Sequence, residues 1–153
     1  MNDRENRLQD KGYPPADAPK AGGLYTPAVL DGKTFYLSGA VPVAGGELKY
    51  KGKVPSAVPV ADAQKAAALC AANLLRVFLR DVGPLGRIEK LVKVTGFVNA
   101  DPGFDEPHVV VNGASQLLLD VLGEAGHHAR SAVGMASLPL DASVEIELIG
   151  RLV

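Results

Sequence analysis

The spacing of apolar residues along the chain predicts two amphipathic helices. Between residues 60 and 82, apolar side chains recur every three or four positions, which is the period of a helix with one buried face. A second pattern of this kind runs from about residue 105 to residue 122. Gly83-Pro84 and Gly123 follow the two patterns and favour helix ends there.

Shorter apolar runs predict strands in the first two thirds of the chain. Residues 24–30 and 34–39 flank Asp31-Gly32, a dipeptide typical of a two-residue hairpin turn. Residues 88–99 alternate in the manner of one long strand. Residues 45–58 carry three lysines and several small side chains, and they predict a solvated loop.

The C-terminal stretch predicts two more extended segments, residues 130–138 and 143–153, joined by a turn at residues 139–141. In an extended chain alternate side chains share a face, so Glu145 lies opposite the apolar row that begins at Val144. If the two segments pair, Arg130 and Glu145 would line one cleft.

The element order predicts an α+β fold: a single antiparallel or mixed sheet with two helices on one face. The other sheet face then needs cover, and association of chains would supply it. Residues 1–22 are polar and then rich in Pro, Ala and Gly, so they predict an N-terminal extension to a domain of residues 23–153. This extension is either mobile or an arm that covers a neighbouring surface.

Composition places the chain among ordinary single-domain proteins. Its 153 residues suffice for one core, and a formal net charge of −1 gives no pull towards nucleic acid or an anionic membrane. The single cysteine, Cys70, lies on the apolar side of the first helix, which favours a buried, inert thiol. No apolar run approaches the roughly 20 residues that cross a bilayer, so we expect a cytoplasmic protein.

The candidate chemistry centres on one arginine and one glutamate. Arg130 heads a row of small residues, and its planar fork suits a carboxylate. Glu145 can pair with Arg130 or hold a water for attack on a neighbouring carbon. The alternatives are an interface ion pair for Arg130 and a solvated strand carboxylate for Glu145, while Glu147 is more typical of a structural position.

Metal and covalent chemistry have little support in the sequence. The adjacent pair His127-His128 diverges in extended chain, and no acidic or thiol partner with ligand spacing is nearby. The serines lack the G-x-S-x-G elbow of a serine hydrolase. We therefore expect no metal and no cofactor.

Several motifs resemble one known family. RSAVGMASLP followed by VEIE resembles the C-terminal signature of the RidA/YjgF reactive-intermediate deaminases, a family that also carries the name endoribonuclease L-PSP. LYTPAVLDGKTFYLSGAVP, residues 63–82, IEKLVKVTGFVN and VNGASQLLLDVL match in the same order, so the resemblance spans residues 22–153. It implies a chorismate-mutase-like fold and a homotrimer, with sheets lining a central barrel and clefts between subunits.

The resemblance also implies roles for individual residues. Arg130 matches the arginine that clamps the substrate carboxylate, and Glu145 matches the glutamate that orients water. Three further positions match the tyrosine near the cleft mouth, the glycine of the SG turn and the asparagine of the second helix: Tyr25, Gly39 and Asn112.

Three positions depart from the family pattern. Ala132 stands where cysteine is common, so only its backbone could serve the substrate; Ala40 replaces a common glutamine, and Ser115 a common aromatic. These departures imply a reshaped pocket and leave the substrate open.

The function that the resemblance implies is hydrolysis of enamines or 2-imino acids to 2-keto acids and ammonia, without a cofactor. Two alternatives stay open. One is a non-catalytic trimeric module that binds a small carboxylate or a partner protein. The other is an endoribonuclease, which the near-neutral charge disfavours.

Overall fold

The computed structural model describes residues 3–153 and contains three α-helices and seven strands. The helices are α1 (Asp3–Asp10), α2 (Val60–Asp81) and α3 (Pro107–Leu122). The strands are β1 (Ala28–Asp31), β2 (Thr34–Ala40), β3 (Val43–Ala44), β4 (Glu47–Leu48), β5 (Ile88–Asn99), β6 (Ala129–Met135) and β7 (Val144–Leu152). Short 3₁₀ turns precede β5, follow α3 and precede β7.

Five of the strands form one mixed sheet in the order β1-β2-β7-β5-β6. Only the β5–β6 pair is parallel, and the other neighbours are antiparallel. The predicted α+β class, with two long helices packed on this sheet, is confirmed. β5 has the bounds that its apolar alternation predicts, because strict period-two patterning is a strong strand signal.

The core lies between the sheet and helices α2 and α3. Val94, Val98, Ile146 and Leu148 point from the sheet into this layer and are fully or almost fully buried. Cys70 is also fully buried, and this burial raises the pKa of its thiol well above the usual range. A thiol of this kind is inert, as its place on the apolar helix face predicts.

Helices α2 and α3 approach each other closely at Gly113. A Cβ at this position would come within 2.7 Å of the Gln64 carbonyl carbon, so only glycine permits the contact. Glycine weakens a helix interior, and the close backbone packing of α2 against α3 explains its presence at position 113.

The two C-terminal segments, β6 and β7, do not pair with each other, so the cleft expected from their pairing does not form within the chain. β5 lies between them, pairing with β6 on one side and with β7 on the other. Val94 shows the arrangement, because it is in register with Arg130 on β6 and with Leu148 on β7. The turn at residues 139–141 suggests a hairpin, but β6 inserts beside β5 through a long-range parallel pairing that no local signal reveals.

The loop predicted for residues 45–58 is also partly wrong. β3 and β4 form a small hairpin around Gly45-Gly46, whose φ angles of 59° and 77° suit a tight turn. The glycine pair was the available signal. The first strand is shorter than predicted and begins at Ala28 instead of residue 24.

The sheet face opposite α2 and α3 remains open and carries exposed apolar side chains, among them Val29, Tyr36, Val133 and Met135. Helix α1 does not cover it, because α1 packs against α3 and buries Leu8 there. The domain boundary at residue 22 stays a prediction. Between residues 3 and 153, no helix has both the length and the apolar character required to cross a membrane.

Candidate functional site

Three of the expected site residues, Tyr25, Gly39 and Glu145, line one cavity of about 600 Å³. We call it the Glu145 pocket. Its walls are mainly apolar and include Val41, Val43 and Val77, together with Ala40 at the end of β2. The pocket therefore places one carboxylate among mainly apolar walls, with Lys20 and Ser38 as polar lining residues.

Gly39 belongs to a bulge in β2, where the register against β7 shifts between Leu37 and Ala40. A Cβ at position 39 would lie 2.9 Å from the Cδ atom of Glu145, closer than real Cβ atoms approach. The Glu145 carboxylate therefore occupies the space that a side chain at position 39 would need. This is a packing reason for glycine that adds to its place in the SG turn.

The carboxylate of Glu145 forms no ion pair among residues 3–153, although Lys20 lines the same pocket. Burial raises its pKa above the ordinary value for glutamate, and repulsion from Glu147 raises it further. Between residues 3 and 153, no hydrogen bond or ion pair reaches this carboxylate. A half-buried, uncompensated carboxylate is a suitable proton acceptor for a bound water.

The rim of the pocket is built by the segment that follows α1. Arg76 Nε donates to the Pro14 carbonyl at 2.8 Å, and Arg80 Nη1 donates to the Pro19 carbonyl at 2.8 Å. These bonds lay residues 14–19 across α2 and bring residues 19–22 to the pocket wall. We call residues 14–22 the arm.

Tyr25 links the arm to the pocket. Its hydroxyl accepts a hydrogen bond from the Gly22 backbone N–H at 3.1 Å, and its ring remains about half exposed. Tyr25 thus lies at the pocket mouth, where the family resemblance expects a tyrosine.

Arg130 and Asn112 lie together at a different place, on the sheet edge formed by β6. The Arg130 side chain reaches α3, where Nη1 donates to Asn112 Oδ1 at 2.9 Å and to Ser115 Oγ at 3.2 Å. Nη2 donates to the His108 carbonyl at 3.2 Å. Arg130, Asn112, Ser115 and His128 form what we call the Arg130 cluster.

The guanidinium of Arg130 keeps part of its binding capacity free. Arginine has five N–H donors, and three of them serve the neutral acceptors on α3. The Nε–H and one Nη2–H have no acceptor among residues 3–153, and no carboxylate in this range forms an ion pair with Arg130. A half-buried cation with two spare donors and no counter-charge is a receptor for an anion.

The remaining expected residue, Ala132, follows Arg130 on the same face of β6. It is in register with Gly96 and packs on the core, half-buried. Its methyl group offers no polar contact, so only the backbone of β6 could bind a ligand there.

Arg130 and Glu145 are not neighbours within one chain. Arg130 is in register with buried Val94 on one side of β5, and Glu145 is in register with Phe97 on the other. The whole of β5 separates their strands. The pocket that Glu145 lines does not include Arg130.

Two members of the Arg130 cluster were missed as site residues at the sequence level. His128 Nε2 lies 2.9 Å from Ser115 Oγ, and His128 Nδ1 lies 2.6 Å from the Gly126 carbonyl oxygen. A signal was available in the sequence. Ser115 lies one helical turn after Asn112, and His128 lies two residues before Arg130, a spacing that puts both side chains on the same side of an extended chain.

Comparison with known proteins gives a consistent result. The family described as "YjgF/chorismate mutase-like, putative endoribonuclease" matches residues 5–152. Protein TCP17 of Trypanosoma cruzi is 38% identical over 142 residues, which cover 91% of this chain and 86% of that protein.

Two solved structures illustrate the range of similarity. Atu1372 of Agrobacterium tumefaciens, a protein of unknown function, is 44% identical over 98% of this chain and 92% of its own, with a TM-score of 0.89. Escherichia coli TdcF with bound serine is 28% identical over 89% of this chain and 94% of its own, with a TM-score of 0.64.

Proposed function

Because the chain belongs to the YjgF/chorismate mutase-like family, we propose that it hydrolyses 2-imino acids, or the enamines in equilibrium with them, to 2-keto acids and ammonia. The observation that carries this proposal is the half-buried Arg130 guanidinium, which between residues 3 and 153 has no ion-pair partner and keeps two N–H donors free. A substrate carboxylate would supply the missing counter-charge through two parallel hydrogen bonds.

The proposed reaction needs no redox step and no covalent intermediate with the protein. Water adds to the C=N carbon of the iminium form, one water proton passes to Glu145, and a neutral carbinolamine forms. Glu145 returns that proton to the amine nitrogen, the C–N bond breaks, and the hydroxyl loses its proton as the C=O bond forms, so the products are the keto acid and ammonium. Glu145 suits the first step because its raised pKa makes it a stronger base than an ordinary glutamate.

The separation of the two charges supports a site made by two copies of the chain. Arg130 and Glu145 lie on strands that β5 separates, and Arg130 does not line the Glu145 pocket, which supports a division of the site between subunits. We propose that the Arg130 cluster of one subunit meets the Glu145 pocket of the next in a homotrimer. The exposed apolar side chains of the open sheet face would be covered by the same association.

The serine bound to TdcF belongs to that protein, yet it agrees in chemistry with the proposal, because serine is an α-amino acid with a carboxylate. An imino acid has the same carboxylate beside an electrophilic carbon. The Arg130 cluster is suited to that common feature, while the apolar pocket is suited to a side chain.

The direct test generates 2-imino acids in situ with an amino-acid oxidase and measures the added rate of keto-acid formation. We expect wild type to accelerate the reaction, and Arg130→Ala and Glu145→Gln each to abolish most of that acceleration. A wild-type rate equal to the blank, with pyruvate still bound through Arg130, would favour the carboxylate-binding module. RNA cleavage that survives Arg130→Ala would favour an endoribonuclease.

A second experiment tests whether two subunits share each site. Arg130→Ala and Glu145→Gln chains are co-expressed with different tags and purified as mixed oligomers. In each mixed trimer about one of the three interfaces regains both residues, so activity should recover to roughly a third of the wild-type value.

The matched control co-expresses Arg130→Ala with the double variant Arg130→Ala/Glu145→Gln, in which no subunit carries the guanidinium. Mixed oligomers no more active than their parents would refute the shared site.

A further inference from the structure

The Arg130 cluster contains a hydroxyl and an imidazole that the proposed reaction leaves without a role. Ser115 projects from α3 and His128 immediately precedes β6, so the two elements that hold Arg130 also hold this pair. Both side chains are half-buried next to the guanidinium.

The hydrogen bonds of this cluster have one consistent direction. The Gly126 carbonyl can only accept, so the His128 Nδ1 atom at 2.6 Å carries the proton. In the neutral ring Nε2 is then the acceptor, and the Ser115 hydroxyl at 2.9 Å donates to it. The lone pairs of Ser115 Oγ are thereby turned towards Arg130 Nη1, which donates at 3.2 Å.

The surroundings of His128 favour this neutral ring. Burial lowers the pKa of its imidazole, and although the hydrogen bond to the Gly126 carbonyl raises it, repulsion from Arg130 and His127 lowers it further, so the pKa stays below its ordinary value. A protonated ring would donate to Ser115 instead of accepting from it. The Ser115 hydroxyl proton would then have to point elsewhere, and on the side of Arg130 it would meet the N–H that donates to Ser115 Oγ.

We propose that His128 is a positioning residue which, through the Ser115 hydroxyl, orients the Arg130 guanidinium so that its Nε–H and free Nη2–H face a carboxylate. Asn112 and the His108 carbonyl hold the other donors, so the Ser115–His128 pair completes a frame of neutral acceptors around the cation. Neutral acceptors position the guanidinium without cancelling its charge, as a carboxylate would. This inference rests on the role of Arg130 in the proposed function.

The test measures pyruvate binding by calorimetry together with imine hydrolysis, using the full-length protein. We expect Ser115→Ala and His128→Gln each to raise the Kd for pyruvate and the KM roughly tenfold, with a much smaller change in kcat. The double variant should be no weaker than either single variant, because the two residues act as one unit. Ser115→Thr keeps the hydroxyl and should restore binding.

The neighbouring histidine offers a matched control. His127 is exposed and forms its only ion pair among residues 3–153 with Glu124, so His127→Gln should bind pyruvate like wild type. A purely structural role for His128 would lower the melting temperature of its variant without changing the Kd.

The tautomer of His128 provides a readout that needs no variant of the cluster. Nitrogen NMR of the wild-type protein should show a proton on Nδ1 and a bare Nε2, with His127→Gln used for assignment. The opposite tautomer would overturn the inference, as would wild-type binding by Ser115→Ala and His128→Gln while Arg130→Ala loses it. If Arg130→Ala itself binds normally, the proposed function is wrong as well.

Discussion

The Glu145 pocket and the Arg130 cluster treat their charged groups in opposite ways. The pocket places its carboxylate among mainly apolar walls without a hydrogen bond among residues 3–153, and burial together with repulsion from Glu147 raises its pKa. The cluster surrounds its guanidinium with three neutral acceptors from α3. In the pocket, burial without a hydrogen-bond partner raises the pKa of a carboxylate. In the cluster, hydrogen bonds to neutral acceptors fix the orientation of a guanidinium.

This difference assigns separate tasks to the two regions. A desolvated carboxylate gains proton affinity but no fixed direction, whereas a guanidinium in a hydrogen-bonded frame gains direction and keeps its charge. The first property suits proton transfer and the second suits binding. Changes in the cluster should therefore act mainly on substrate affinity, and changes in the pocket on the rate of the bound substrate.

The largest effect is expected from Arg130→Ala, which removes the charge around which the cluster is built. Losing two charge-assisted hydrogen bonds to a carboxylate should lower kcat/KM on the order of 100-fold. Arg130→Lys should recover little, because an ammonium cannot offer the planar fork. The measurement is keto-acid formation from imines generated in situ.

The control for this prediction is Arg151→Ala, since Arg151 is an exposed arginine on β7 that pairs with Glu89. An equal loss of activity for the Arg151 and Arg130 variants would mean that general charge, and not the cluster, attracts the substrate.

An intermediate effect is expected from Gly39→Ala in the pocket. The added methyl group would occupy the space of the Glu145 carboxylate and push it aside, lowering kcat roughly tenfold with little change in KM. Gly22→Ala is the matched control on the same rim, because a Cβ there meets only the Tyr25 hydroxyl, at 4.0 Å. A kcat unchanged by Gly39→Ala would remove Glu145 from the chemistry.

The smallest effect is expected from Glu147→Gln, which should act only on the pH profile. Glu145 must be ionised to accept a proton, so activity falls as pH drops through its raised pKa. Removing the repulsion of Glu147 lowers that pKa, and the acid limb of kcat should move to lower pH. A limb that moves to higher pH, or that is already absent in wild type, would contradict Glu145 as the base.

The sequence predicted the elements well because their signals are local. Alternation over residues 88–99 gives β5, and the three- and four-residue spacing over residues 60–82 gives α2. The arrangement of β6 was not predictable in the same way, since its parallel pairing with β5 depends on contacts between residues more than 30 positions apart.

The candidate site shows the same limit. The resemblance indicated Arg130 and Asn112, and the structure brings them within 2.9 Å of each other. It also indicated Arg130 and Glu145, which lie on strands that β5 separates. Ser115 was noted only as a departure and His128 only as a poor metal ligand, because their relation depends on how α3 packs beside β6.

The way in which the arm is fastened has a consequence for protein engineering. Arg76 and Arg80 donate to main-chain oxygens at positions 14 and 19, so neither hydrogen bond uses a side chain of the arm. Asp17 has a φ of 71° and acts electrostatically on Arg76, and Ala18 packs on the core, so both are kept. Residues 20–22 can be randomised while the anchors persist. A library at these positions would reshape the entrance and the range of accepted molecules, leaving the catalytic groups untouched.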